Sequence, residues 1–116
     1  MQRWIKAFRN SVAAFGHLSR NETAFKQECW LLLAAVPVAY FVARDISEYF
    51  TLLIVIVVII LVEVLNTAIE AACDAVTSEF NDNIKIAKDC GSLAVLLACG
   101  IATVVWALAI INWAIG

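Results

Sequence analysis

The run Leu52–Val62, LLIVIVVIILV, has no charge, no glycine and no proline, and it is rich in β-branched side chains. No water-facing surface helix would carry it, so its place is either a deep core or a lipid bilayer. A chain of 116 residues is one domain at most. A globule of that size keeps much of its surface wet and cannot hide a composition that is 64% hydrophobic. The apolar residues also fall in long runs, and mean hydropathy is +0.90. These features predict an integral membrane protein built from helices.

Three spans are expected. The second contains the run above and begins near Tyr49. Its helical character continues past Glu63 through EVLNTAIEAACDAV, with neither glycine nor proline before Gly91. One helix over 47–78 is predicted, its last part leaving the bilayer. The first span centres on Cys29–Ala43, CWLLLAAVPVAYFVA. At 1.5 Å per residue that stretch covers only ~22 Å of a ~30 Å core, so flanking turns must be recruited and a span over 24–44 is predicted. Pro37 lies inside it and is a candidate kink. The third span, over 87–115, has no charge after Asp89. Ahead of all three, 1–20 reads as an amphipathic helix. Trp4, Ile5, Phe8, Val12 and Phe15 fall within an arc of about 100°, with Arg3, Lys6 and Arg9 on the rest of the circumference. That pattern suits a helix lying in the headgroup plane, and equally one packed on the protein itself.

Basic residues set the orientation. Arg3, Lys6, Arg9, Arg20 and Lys26 precede the first span, Lys85 and Lys88 lie between the second and third, and Arg44 alone lies in the other loop. The positive-inside rule places the N-terminus and the second loop in the cytoplasm and the C-terminus outside. The segment MQRWIKAFRNSVAAFGHLSR breaks its apolar residues with charge and lacks the continuous core of a cleavable signal. Cys29, Cys73, Cys90 and Cys99 show no CxxC spacing, and His17 is the only histidine, so neither a zinc site nor disulfides are expected.

Chemistry concentrates at the cytoplasmic ends of these spans. Glu63, Asn66, Glu70 and Asp74 are spaced i, i+3, i+7, i+11 and share an arc of about 80° on a helix. Like charges on one face weaken a helix unless a cation or basic groups compensate them. A carboxylate at membrane depth is costly and usually marks a function. Asp74 and Glu79 are also readable as the solvated end of a long helix. That reading is poor for Glu63 and Asn66, which directly follow the apolar run. Lys88-Asp89-Cys90-Gly91-Ser92 opens the third span, where the lysine can meet phosphate or merely snorkel. Arg20-Asn21-Glu22 precedes the first. Glu22 with Glu70 offers two hard oxygen ligands to one divalent cation, with substrate phosphates completing the shell. There is no P-loop and no glycine-rich nucleotide loop.

EVLNTAIEAACDAVTSEF followed by AKDCGSLAVLLA resembles the prokaryotic diacylglycerol kinase family, whose hallmark is E-x-x-N-[ST]-A-[IL]-E-x-x-x-D followed by A-K-D-x-[GA]-[SA]-A-A-V. Leu93 departs from it where alanine is usual. NETAFKQE, Asn21–Glu28, is similar to that family's approach to its first span, and the likeness runs through essentially the whole chain. The resemblance implies an all-α integral membrane kinase with three transmembrane helices, an N-terminal amphipathic surface helix, and a homotrimeric bundle with composite sites in the bacterial inner membrane. It implies transfer of the γ-phosphoryl of ATP, with Mg²⁺, to the hydroxyl of diacylglycerol to give phosphatidic acid. Glu63 would be the general base, and Glu22 and Glu70 would hold the metal and meet nucleotide. Asn66, Lys88 and Asp89 fall on active-site positions, with Lys88 and Asp89 towards nucleotide. Glu79 and Arg3 fall on nucleotide-contacting positions, Arg3 also near lipid, and Ser92 and Trp106 on lipid-contacting ones. Asn10 stands where the enterobacterial form has an aromatic residue, a departure that puts the nucleotide contact of that position in doubt. The chain looks closer to the proteobacterial branch than to the Gram-positive branch, which phosphorylates undecaprenol. The same polar set would serve either lipid alcohol. An ion-coupled transporter or channel with Glu63 as coupling carboxylate is the competing class. It fits less well, because the polar residues gather at one interface instead of lining a path. A membrane scaffold without activity would leave the acidic stripe without a purpose.

Overall fold

The computed structural model describes residues 1–116 as four helices in one chain: α1 Gln2–Asn21, α2 Thr23–Val42, α3 Ile46–Val76 and α4 Asp82–Ile115. The last three are long and apolar enough to cross a membrane. At 1.5 Å per residue α2, which begins at Thr23, reaches ~30 Å, the thickness of a hydrocarbon core. By the same measure α3 and α4 reach ~46 and ~51 Å, longer than a ~30 Å hydrocarbon core, a length that overhang or tilt accommodates. α4 starts earlier than the span expected over 87–115, because Asn81 caps it. The Asn81 side chain accepts from the backbone N–H groups of Asn83 and Ile84 at 2.9 and 3.2 Å. At the start of α3, Asp45 caps in the same way, accepting from Glu48 N–H at 2.8 Å. α2 continues through Pro37 to Val42 without a break.

α2, α3 and α4 run antiparallel in turn, with α3 in the middle. α3 packs on both neighbours, and α2 and α4 barely meet. The division of labour is visible in side-chain size. α3 buries Leu52, Val55, Ile56 and Ile59, while the helices facing it bury mostly small residues: Ala35 and Ala39 on α2, besides Phe25 and Val42 nearer its ends, and Gly91, Ala98, Ala102 and Ala109 on α4. In lipid there is no hydrophobic gain in hiding one apolar helix against another. Close backbone approach along small-residue seams supplies the packing instead. Trp106 spans the two apolar clusters so formed, and its indole N–H donates to the carbonyl of Leu52 at 3.0 Å. Tyr49 ties the start of α3 to α2 by donating to the Val36 carbonyl at 3.2 Å.

Only 15 of 116 residues are buried, and large side chains such as Trp30, Phe41, Leu61, Leu96 and Ile111 point outward. In water that surface would not stay monomeric; it has to face lipid or other apolar surface. α1 touches only α2, anchored by buried Leu18 and by the edge-to-face pair Phe15–Phe25 with ring centroids 5.4 Å apart. Trp4 and Phe8, nearer its start, are exposed.

Candidate active site

The buried positions of α3 continue without interruption from Leu52, Val55, Ile56 and Ile59 to Glu63 and Asn66. Helical spacing therefore carries one stripe from apolar to polar without changing its face. The Glu63 residue is 9% exposed and Asn66 8%. Both lie between helices where α2 begins, α3 nears its end and α4 begins. Asn66 Nδ2 donates to Glu70 Oε1 at 3.4 Å, a long bond, while its Oδ1 is buried without a partner. Gly91 of α4 lies against that oxygen so closely that a β-carbon there would overlap it. The absence of a side chain at 91 is what lets α4 approach the Asn66 amide.

Around Glu63 the charge is uniformly negative. The carboxylates of Glu70 and Glu22 act on it directly. Glu22 arrives there because it is the single residue joining α1 to α2, in extended backbone. None of Glu22, Glu63 and Glu70 is in an ion pair within the chain; the three salt bridges lie elsewhere. Like charges so placed repel one another, and a proton or a cation relieves the repulsion. No set of three acidic, thiol or imidazole groups closes around a point, so the chain does not form a complete metal cage by itself. It offers hard carboxylate oxygens from the α1–α2 joint and from α3, which fits an ion such as Mg²⁺ that keeps water and phosphate in its shell.

The sequence-predicted residues of α4 divide. Lys88 Nζ reaches across to Asp74 Oδ1 of α3 at 2.8 Å, so Asp74 is not simply a solvated helix end. Asp89 is taken by Lys85 one turn away at 2.6 Å. Ser92 is exposed on the next turn. Glu79 lies in the connection between α3 and α4, where its backbone N–H donates to Thr77 Oγ1 at 3.0 Å. Two residues stay apart from this group. Arg3 is at the far end of α1, which touches neither α3 nor α4. Trp106 is bonded to Leu52, which precedes Glu63 by about 16 Å of helix.

The family model for prokaryotic diacylglycerol kinase matches residues 9–110. The chain belongs to the prokaryotic diacylglycerol kinase family. Among named relatives, the diacylglycerol kinase of Pseudomonas aeruginosa is 36% identical over 107 residues, covering 92% of this chain and 87% of the relative. That of Escherichia coli K12 is 39% identical over 88 residues, covering 76% and 72%. That of Haemophilus influenzae is 29% identical over 102 residues, covering 88% and 86%. Membership makes this chain an enzyme of a lipid-kinase family, and it gives the acidic group a context.

One residue of the group is not apparent from the linear pattern. Glu28 of α2 lies close enough to Glu63 for their charges to interact, and its Oε1 is buried without a hydrogen-bond partner. Within NETAFKQE it looks like any polar residue flanking a span. The only available signal was its position, six residues and nearly two turns after Glu22.

Proposed function

We propose that the protein is an ATP-dependent diacylglycerol kinase that transfers the γ-phosphoryl of MgATP to the free hydroxyl of diacylglycerol, giving phosphatidic acid. The observation that carries this is the buried carboxylate of Glu63, without a cationic partner, on one helix face with Asn66 and Glu70. Between α2, α3 and α4 an apolar groove of 560 Å³, lined by Leu31, Ala35, Ile56, Ile59, Ala102 and Trp106 among others, offers room for an acyl chain. A lipid alcohol with its tail along that groove has its hydroxyl near the depth of Glu63.

In this reading Glu63 accepts the hydroxyl proton as the alcohol oxygen bonds to the γ-phosphorus. The bond from that phosphorus to the β–γ bridging oxygen breaks, and ADP leaves. Phosphoryl transfer asks a protein mainly for alignment and charge neutralisation. Glu22 and Glu70 are the residues that would hold Mg²⁺, which when bound neutralises and orients the phosphates. Asn66 fixes Glu70 through its amide. Lys88 meets phosphate, while Asp89 and Glu79 place the nucleotide. Ser92 and Trp106 line the path of the lipid. Arg3 reaches nucleotide and lipid only if a neighbouring copy or a displaced α1 supplies it, which agrees with a homotrimer whose sites are shared between subunits. The exposed apolar surface of each chain suits that assembly. The basic residues of α1, Lys85 and Lys88 favour a cytoplasmic position for this end in the inner membrane, with α1 on the membrane surface and the C-terminus in the periplasm.

A mixed-micelle assay with purified protein, MgATP and either diacylglycerol or undecaprenol tests the reading. Phosphatidic acid formation that is lost in Glu63→Gln is the expected result. Turnover with undecaprenol alone would move the substrate to a polyprenol, and full activity of Glu63→Gln would remove the base.

A further inference from the structure

Asp74 closes the acidic stripe of α3, and its ion pair with Lys88 has a consequence for how phosphate enters. The pair crosses from α3 to α4 over the connection formed by residues 77–81, at 2.8 Å. Besides Asp74, the carboxylate whose charge reaches the Lys88 ammonium is Glu70, also on α3. The ammonium is therefore drawn toward α3, on the side of Glu70. Asp89, its sequence neighbour, is turned to Lys85 and does not compete for it.

The two side chains of the pair are 41% and 68% exposed. An ion pair that open to water is weak and exchanges readily. A polyphosphate offers an ammonium more charge and more acceptor oxygens than one carboxylate does. We infer that Asp74 is a positioning residue that acts through Lys88: it holds the ammonium beside Glu70 when no nucleotide is present, and incoming phosphate must displace it. This rests on the proposed contact between Lys88 and phosphate.

Two effects follow from a resident carboxylate. It raises the threshold for any anion that takes the ammonium, inorganic phosphate and metal-bound triphosphate alike, by the cost of breaking the pair. It also takes the lysine back once the transferred phosphoryl departs. Asp74→Asn keeps the shape and removes the charge, at an exposed position where folding has little stake.

The test measures KM and kcat for MgATP, with diacylglycerol in mixed micelles, for the full-length protein, Asp74→Asn, Lys88→Gln and the double variant. Competitive inhibition by inorganic phosphate is measured alongside. In Asp74→Asn, KM for MgATP should fall about two- to five-fold, the scale of one exposed ion pair, without a rise in kcat. The inhibition constant for inorganic phosphate should fall by about the same factor. Neither change should appear when Asp74→Asn is added to Lys88→Gln. If Lys88→Gln raises KM while Asp74→Asn leaves it unchanged or raises it, the inference is overturned and the contact of Lys88 with phosphate stands. If Lys88→Gln leaves KM where it was, the contact itself fails and the inference falls with it. A lower KM that persists in the double variant also overturns it, because the effect would not pass through Lys88.

Discussion

Leu52 to Ile59 and Glu63 to Asn66 occupy one continuous buried face of α3, yet the two halves are made on opposite principles. In the first half, branched apolar side chains meet alanines of α2 and α4, and every group is satisfied by contact alone. In the second half the same neighbours enclose the Glu63 residue and the Asn66 amide, whose oxygen has no partner in the chain. The first half holds the helices together. The second is held by them. A rigid apolar seam next to a buried polar pair is how a very small protein can preorganise polar groups: the packing fixes the positions that the chemistry alone would push apart.

Changes in the two halves should therefore have different signatures. The largest effect belongs to Glu63→Gln, expected to lower kcat by about 10²–10⁴-fold while the protein elutes and melts as the parent does. Radiolabelled phosphatidic acid formation, with a melting curve of the same sample, reads both; a large loss of folded protein would move Glu63 into the structural half. Next is Glu70→Gln, which should raise the Mg²⁺ concentration for half-activity by about tenfold or more, with Asn66→Ala moving it the same way through Glu70. An unchanged Mg²⁺ titration would separate Glu70 from the metal. In the apolar half the order of consequences reverses. Ile59→Ala should cost about 2–4 kcal/mol of stability by opening a cavity, with the Mg²⁺ dependence of the remaining folded enzyme unaltered. Ala102→Leu should cost about 1–3 kcal/mol by forcing α3 and α4 apart, and a shift in its metal titration would show that the halves are mechanically joined. The smallest effect is that of Trp106→Phe, which keeps an aromatic ring between the two clusters and loses the bond to the Leu52 carbonyl, worth about 0.5–1.5 kcal/mol by thermal or denaturant unfolding, with some ring contact.

Much of this contrast can be read from the order of residues, because both halves obey helical periodicity. The run Leu52–Val62 demands a membrane helix, and the spacing of Glu63, Asn66, Glu70 and Asp74 places them on one face. Periodicity along one helix says nothing about which face meets which neighbour. That the acidic stripe prolongs the packing stripe, that Glu28 comes up beside Glu63, and that Asp74 finds Lys88 are facts about pairs of helices. The start of α4 at Asp82 was hidden for a different reason. DNIKIAK is too polar to register as part of a span, and its helix is set by the Asn81 cap instead of by hydropathy. Gly91 shows a third kind of gap. In the sequence it is a small residue in a membrane helix, and only the position of the Asn66 oxygen gives its missing side chain a purpose.

Glu22 is at once the whole joint between α1 and α2 and one of the carboxylates acting on Glu63. A joint of one residue leaves no slack to absorb a change of chain length. Adding or deleting a single position there would turn α1 by about 100° about its axis or carry the carboxylate out of reach. Over generations, insertions and deletions should be purged from this point and tolerated at the termini, so the distance from Glu22 to Phe25 ought to be among the least negotiable lengths in the chain.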